Sequence, residues 1–288
     1  MKALPFKIPK TEQQSIRVQV DEGPHFYDKL HYHPEWQLTA VEEGRGTLYI
    51  GSSFTSFQEG SVFLVGSNVA HLMRNEPIYF EANSPQVRAV SLFFHQHSLG
   101  QDFFELPELL SVKEVLNNSD RGILFKPDLS KVLHQHILAC QQQQGLERFQ
   151  LFVQILGLIS QKENFSYLNA HPINASRREV DGQRLDEVFQ FSFNHFSRKI
   201  ELQEVAQVAN LSVSQFCRYF KTHTSKTYIQ FLNELRIEAA CQLLLKKERS
   251  VFEIAYQCGF QNLSNFNRQF KKIKGIPPAA FVKAYQIR

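Results

Sequence analysis

Residues 202–232, LQEVAQVANLSVSQFCRYFKTHTSKTYIQFL, and residues 251–282, VFEIAYQCGFQNLSNFNRQFKKIKGIPPAAFV, are two copies of one unit. At an offset of 49, Val205 aligns with Ile254, Ala206 with Ala255 and Leu211 with Phe260. One residue inserted in the turn shifts the offset to 50. Phe216, Arg218, Phe220, Lys221 and Phe231 then align with Phe266, Arg268, Phe270, Lys271 and Phe281. Internal repetition at a fixed spacing says more than local propensity, because it constrains the architecture of the whole segment.

Each copy predicts a short helix with a small residue where another helix must pass closely, Ala206 or Ala255. A tight turn follows (Asn210-Leu211-Ser212; Gly259-Phe260-Gln261), then a helix with Phe216 and Phe220, or Phe266 and Phe270, on its apolar face. That is a helix-turn-helix, whose second helix can enter the major groove of DNA. The polar face of that helix carries Ser214, Gln215, Cys217, Arg218 and Lys221 in the first copy. In the second copy it carries Ser264, Asn265, Asn267, Arg268 and Lys271. Arginine can bond guanine bidentately and asparagine adenine, while lysine and serine suit phosphates. A single copy reads equally well as a solvated helix with packing aromatics. Two copies in register favour DNA.

Between them, residues 226–247 have helical apolar periodicity and no Gly or Pro, which predicts one long helix setting the separation of the two readers. Charge agrees. Residues 1–175 hold 14 Lys+Arg against 18 Asp+Glu, and residues 176–288 hold 18 against 10, so the overall +4 conceals a basic C-terminal third. A basic end on a mildly acidic body is suited to a polyanion.

N-terminal to the repeat, residues 163–182 mix Asn, Ser, Pro and Gly without a period and read as a linker. Residues 128–144 and 146–162 read as two amphipathic helices, parted by Gly145. Their apolar Leu133, Ile137, Leu138, Phe152, Ile155 and Leu156 are candidates for self-association or for packing within their own domain. Residues 15 to about 100 are short segments rich in β-branched and aromatic residues, punctuated by glycines, which predicts a sandwich or small barrel.

Within that region, HYHPEWQL (31–38) sets His31 and His33 two apart, on one face of a strand, next to Glu35, Trp36 and Gln37. No apolar run approaches the roughly 18 residues of a membrane span. The N-terminal MKALPFKIPKTEQQ lacks the apolar core and cleavage site of an export signal, so a cytoplasmic protein is expected. Cys140, Cys217, Cys241 and Cys258 show no metal-binding spacing and read as buried thiols on helices in a reducing compartment. There is no P-loop and no nucleophile–base pair, and no cofactor is expected.

The second copy resembles the signature of AraC/XylS-type transcription regulators. Gly259-Phe260, Ser264…Phe266…Arg268…Phe270-Lys271 and Gly275-Ile276-Pro277-Pro278 match its turn, recognition helix and closing segment. The resemblance covers roughly residues 183–288. It implies that Ser214, Cys217 and Arg218, and their counterparts Ser264, Asn267 and Arg268, face bases.

More loosely, HYHPEWQL resembles the first motif of the cupin-like barrel that many such regulators carry. His31, His33, Gln37 and Gly44 fall at its positions, and Gly60, His71 and Asn75 keep the spacing of the second motif. Gln37 stands where the pattern expects a carboxylate, and a neutral amide is a poorer metal ligand. No metal is therefore expected; His31, His33 and His71 are the residues that would hold one.

The expectation is an α+β protein of two domains. Residues 1–162 form a cupin-like sensor or dimerisation domain (barrel about 15–100, helices about 101–162), and residues 183–288 an all-α domain of two helix-turn-helix units joined by a long helix. The resemblance implies double-stranded DNA as partner, a small-molecule effector such as a sugar, a homodimer, contact with RNA polymerase and no membrane. His31, His33, Trp36, Gln37 and His71 are the candidate effector pocket. Two alternatives stay open: a ligand-independent regulator using the barrel to dimerise, and a cupin metalloenzyme fused to a DNA-binding domain.

Overall fold

In a computed structural model, which describes residues 4–5, 15–173 and 182–286, the chain forms two compact units that part between residues 179 and 180. The first is strand-rich and the second all-helical.

The N-terminal unit holds two sheets. One has five strands in the order β1 (Leu4–Pro5), β3 (His31–Tyr32), β8 (His71–Asn75), β5 (Gly46–Ile50) and β6 (Ser53–Phe57). The other has six, in the order β11 (Phe165–Tyr167), β10 (Ile123–Phe125), β7 (Val62–Val65), β4 (Trp36–Glu43), β9 (Val87–Phe94) and β2 (Arg17–Gly23). All pairings are antiparallel except the short β1–β3 pair.

The six-stranded sheet is covered on both faces, which is why its central strands read as nearly unbroken apolar runs. On β4, Trp36, Leu38 and Ala40 point outward into a core shared with α1 (Leu110–Asn117), α2 (Pro127–Gln142) and α3 (Gly145–Ile159). Val41 points the other way, into the core between the sheets, with Leu48, Ile50, Phe57, Phe63 and Val65.

Leu133, Ile137, Phe152, Ile155 and Leu156, read from sequence as candidates for self-association or for packing within their own domain, are fully buried in the outer core, with Leu138 packed against it. An apolar sheet face needs a cover, and these helices supply it. The apolar residues they leave outward are Val132, Leu146 and Val153.

Two further boundaries differ from the sequence reading. Strand β10 lies inside the stretch expected to be helical. Residues 163–173, read as the start of a linker, belong to the N-terminal unit: Phe165–Tyr167 pair with β10. Residues 174–181 of that linker lie outside the described residues. The missed signal was a polar side chain.

Asn169 is buried and clamps the β5–β6 turn. Its amide donates to the Ile50 and Arg121 carbonyls at 3.0 and 2.9 Å, and its oxygen accepts from the Ser52 and Ser53 hydroxyls at 2.8 and 3.0 Å. Replacing Asn169 by Ala should lower the unfolding free energy by about 2–3 kcal/mol, because several buried partners are orphaned together. Urea unfolding reads this directly; a loss under about 0.5 kcal/mol would mean that water replaces the clamp.

The C-terminal unit contains α4 (Gly182–His195), α5 (Leu202–Val208), α6 (Val213–Thr224), α7 (Tyr228–Lys246), α8 (Val251–Gln257), α9 (Leu263–Lys274) and α10 (Pro278–Gln286). Phe189 of α4 stacks on Phe231 with centroids 4.6 Å apart, and Phe216, Phe220 and Tyr228 complete the aromatic core of the first repeat. In the second repeat Phe266 and Phe270 meet Ile254, Ala255, Phe260 and, from α10, Phe281. At 19 residues, α7 is about 28 Å long.

Candidate functional site

The repeat in the sequence is also a repeat of backbone hydrogen bonds. After α5, Leu211 donates to the Ala206 carbonyl and Asn210 to that of Gln207, both at 2.9 Å. After α8, Phe260 donates to Ala255 at 3.0 Å and Gly259 to Tyr256 at 2.9 Å. This paired closure ends a helix by turning one residue left-handed. Asn210 and Gly259 are those residues, with φ of 52° and 82°. Gly259 has a second reason to be glycine, since a Cβ there would lie 2.3 Å from the Phe196 carbonyl oxygen.

The second helix of each pair starts on a side-chain cap: Ser212 accepts from the Gln215 amide and Asn262 from that of Asn265. Each ends on another left-handed residue, Ser225 or Gly275, at the offset of 50. Two cores of buried phenylalanine thus hold two short helices with the same faces outward.

On α6, Ser214, Cys217, Arg218 and Lys221 are exposed; on α9, Ser264, Asn267, Arg268 and Lys271 are exposed and Asn265 is half-buried. Gln215 is exposed, but its side-chain oxygen accepts from the Ser212 backbone and hydroxyl at 3.1 and 2.9 Å. Gln215 therefore caps α6 while remaining on the exposed polar face. Asn265 accepts from the Arg268 guanidinium at 2.9 Å, one turn along the same face. Cys217, expected to be a buried thiol, is exposed, whereas Cys140, Cys241 and Cys258 are buried.

The N-terminal unit has a small cavity of about 60 Å³, lined by residues that include Gln19, Asp21, Tyr27, His31, His33, Gln37, His71 and Phe93. The histidine rings gather there, with centroids 4.2 Å apart for His31 and His71 and 5.0 Å for His33 and His71. Each Nδ1 meets a backbone carbonyl: Lys29 for His31 (2.8 Å), Glu35 for His33 (3.1 Å) and Val69 for His71 (2.8 Å). Gln37 Oε1 sits 3.0 Å from Nε2 of both His33 and His71, and its amide donates to Thr39 at 2.9 Å. Burial lowers the pKa of all three rings, taking His31 down to about 4 and His71 well below its ordinary value.

Glu35 lies on the Nδ1 side of His33, at 3.7 Å, away from the converging Nε2 atoms. Trp36 does not line the cavity. Alternation along β4 sends it to the opposite face, where it packs on Phe94 and Phe104, correcting its place in the expected pocket.

Sequence reading missed Gln19, Asp21, Ser91 and Phe93, which come from strands whose register no single sequence reveals. Thr39 was findable: Gln37 and Thr39 are alternate polar residues in an apolar strand.

Comparison with known proteins concurs with the helical unit. A family model described as a helix-turn-helix domain matches residues 205–284. The uncharacterized HTH-type transcriptional regulator YdeC of Bacillus subtilis (strain 168) is 23% identical over 273 residues, covering 89% of this chain and 87% of its own. The HTH-type transcriptional activator RhaS of Pectobacterium atrosepticum is 23% identical over 262 residues, covering 84% and 83%. Among solved structures, the DNA-binding domain of AdpA in complex with a target DNA aligns with a TM-score of 0.35 and 30% identity, over 36% of this chain and 95% of that one. Among the described residues no helix is long and apolar enough to cross a membrane. Residues 205–284 are thus a helix-turn-helix domain, and over most of its length the chain is similar to HTH-type transcription regulators.

Proposed function

We propose that the helical unit, residues 183–288, reads DNA through α6 and α9, and that the strand-rich unit is a cupin-like module through which a small-molecule effector controls it. The observation that carries the first half is the pair of repeated polar faces, held outward by matching caps and turns. Arg218, Cys217 and Ser214, with Arg268, Asn267 and Ser264, face the bases, and Lys221 and Lys271 contact phosphate. Cys217 is a weak reader, so the first helix leans on Arg218. An α7 of about 28 Å suits two readers in successive major grooves on one face of the duplex, about 34 Å apart.

The effector half rests on the polar cavity. Its volume of about 60 Å³ is small beside the 300–1,000 Å³ of typical organic-ligand sites. A sugar therefore requires the pocket to open, and an effector acts only if it favours one arrangement of the protein over another. A homodimer formed through this unit would use the outward Val132, Leu146 and Val153. RNA polymerase is the further partner of a regulator acting as an activator.

The full-length chain selects its site from a random duplex library, and footprinting then measures the spacing of the two protected grooves. Two protected segments about one helical turn apart are expected. A single short segment would remove α6 or α9 as a reader. Repeating the selection with a panel of sugars and small acids tests the effector, with a change in DNA affinity of 5-fold or more as the expected sign. No change across the panel favours the barrel as a dimerisation module.

A further inference from the structure

We propose that Arg236 is a positioning residue for DNA reading: it locks the loop before α5 against the turn after α8, and so fixes the spacing and angle at which α6 and α9 meet the duplex. This role presupposes that those two helices are the readers.

The helical unit has one core for each repeat, and α7 serves both. Its first turns give Tyr228 and Phe231 to one, and its later turns give Ile237, Ala240, Cys241 and Leu244 to the other. Two small cores strung on one helix can rock about it unless a contact outside the helix ties them. Half-buried Arg236 lies where α7 passes from the first core to the second. Its Nε donates to the Phe196 carbonyl at 2.8 Å and its Nη2 to the Arg198 carbonyl at 2.7 Å, both in the loop between α4 and α5. The same guanidinium lies 5.8 Å from the ring centroid of Phe260, in the turn after α8.

The two turns record this contact. Asn210 and Gly259 hold matching positions with a left-handed backbone, a conformation that asparagine can adopt. Asn210 carries its Cβ there. A Cβ on Gly259 would lie 2.3 Å from the Phe196 oxygen and 2.9 Å from Arg236 Nε. Glycine is needed in the second copy because the loop of the first copy and Arg236 press against it. A contact that distinguishes two otherwise matching turns is a contact between the repeats. Arginine suits the place, since its planar fork can serve two carbonyls while it stacks toward a ring, which a lysine ammonium cannot do. The competing role is stability alone, with packing holding the readers where they are.

Full-length native chain and Arg236→Met, which keeps an apolar stem and removes the fork, are compared on duplexes with one or two base pairs added or removed between the two contacted segments. Each base pair displaces one segment by about 3.4 Å and about 35° relative to the other. Native affinity should fall on the order of 10-fold per step, because a displaced reader loses its base contacts. With Arg236→Met the steps should shrink to less than about 3-fold, and affinity at the native spacing should drop, because binding must now order the two repeats. A purely stabilising arginine would lower the melting temperature and leave the steps as steep.

A measurement without DNA separates this role from the reader assignment. Exposed Cys217 on α6 takes one spin label and Ser264→Cys on α9 the other, while Cys140, Cys241 and Cys258 are buried. The distance distribution should be narrow in the native background and wider with Arg236→Met. Native steps or an unchanged distribution in a folded Arg236→Met chain would overturn the lock. Should that variant fail to fold, Arg236→Lys goes through both measurements, with intermediate steps expected and native ones overturning the proposal. A native chain that protects a single segment would instead sink the reader assignment, and the label distances then judge the lock by themselves.

Discussion

Phe266→Ala should cost the helical unit about 3–5 kcal/mol, the largest stability loss expected from a single substitution here. Phe266 is fully buried, 5.2 Å from Phe260 and 5.6 Å from Phe270 between ring centroids, and it packs where α8, α9 and α10 converge. Removing the ring leaves a cavity that three short helices can close only by abandoning their turn geometry. A domain of this size has about 5–15 kcal/mol in all, so this one substitution removes a large share of its stability. Denaturant unfolding followed by far-ultraviolet circular dichroism measures the loss. Phe252→Ala is the control: that ring is 55% exposed on α8, and its removal should change stability by less than about 0.5 kcal/mol. Equal losses at the two positions would contradict the core assigned to the second repeat.

The second large effect concerns DNA. Arg218→Ala and Arg268→Ala should each weaken binding to the selected site by about 1–3 kcal/mol and relax specificity at one base pair. The residues lie on different helices without a shared partner, so the double variant should lose about the sum of the two. Neither change should alter folding, because both side chains are exposed. Lys221→Ala and Lys271→Ala make the contrast: weaker binding to every sequence, and a salt dependence shallower by about one unit for each phosphate left without its lysine. If both arginine variants bound like the native chain, α6 and α9 would not be the readers. The Asn265–Arg268 hydrogen bond adds a check, since Asn265→Ala frees the guanidinium and should weaken specific binding less than loss of Arg268 itself.

The helical unit was legible in the sequence because its determinants are local. Phe216 and Phe220, like Phe266 and Phe270, lie four apart, and the left-handed residues that end the helices fall at the repeat offset. Ser212 with Gln215 three residues on is a capping signature visible in the sequence, which the sequence reading did not use. The strand-rich unit was legible only where its residues are neighbours in sequence. His31, His33 and Gln37 share one short stretch, and motif spacing supplied His71. Ser91 and Phe93 come from the partner strand β9, and Asn169 acts on a turn more than a hundred residues away. Register and long-range clamps are tertiary facts. Trp36 was misplaced by adjacency alone, as next-door residues on a strand face opposite ways.

Strand β4 is a wall shared by two rooms. Gln37 looks into the histidine pocket, while Trp36 and Leu38 look into the core beneath the helices, and the Val41 carbonyl lies 3.2 Å from the His134 ring nitrogen on α2. A stiff strand cannot yield on one side alone, so pressure on Gln37 from an occupant is felt by the side chains behind it. The lone tryptophan therefore works as a strain gauge and not as a touch sensor. A change in its emission when a ligand is added would report that the wall has moved, whatever the ligand touches. Silent emission alongside a raised melting temperature would report a filled room behind a wall that stands still.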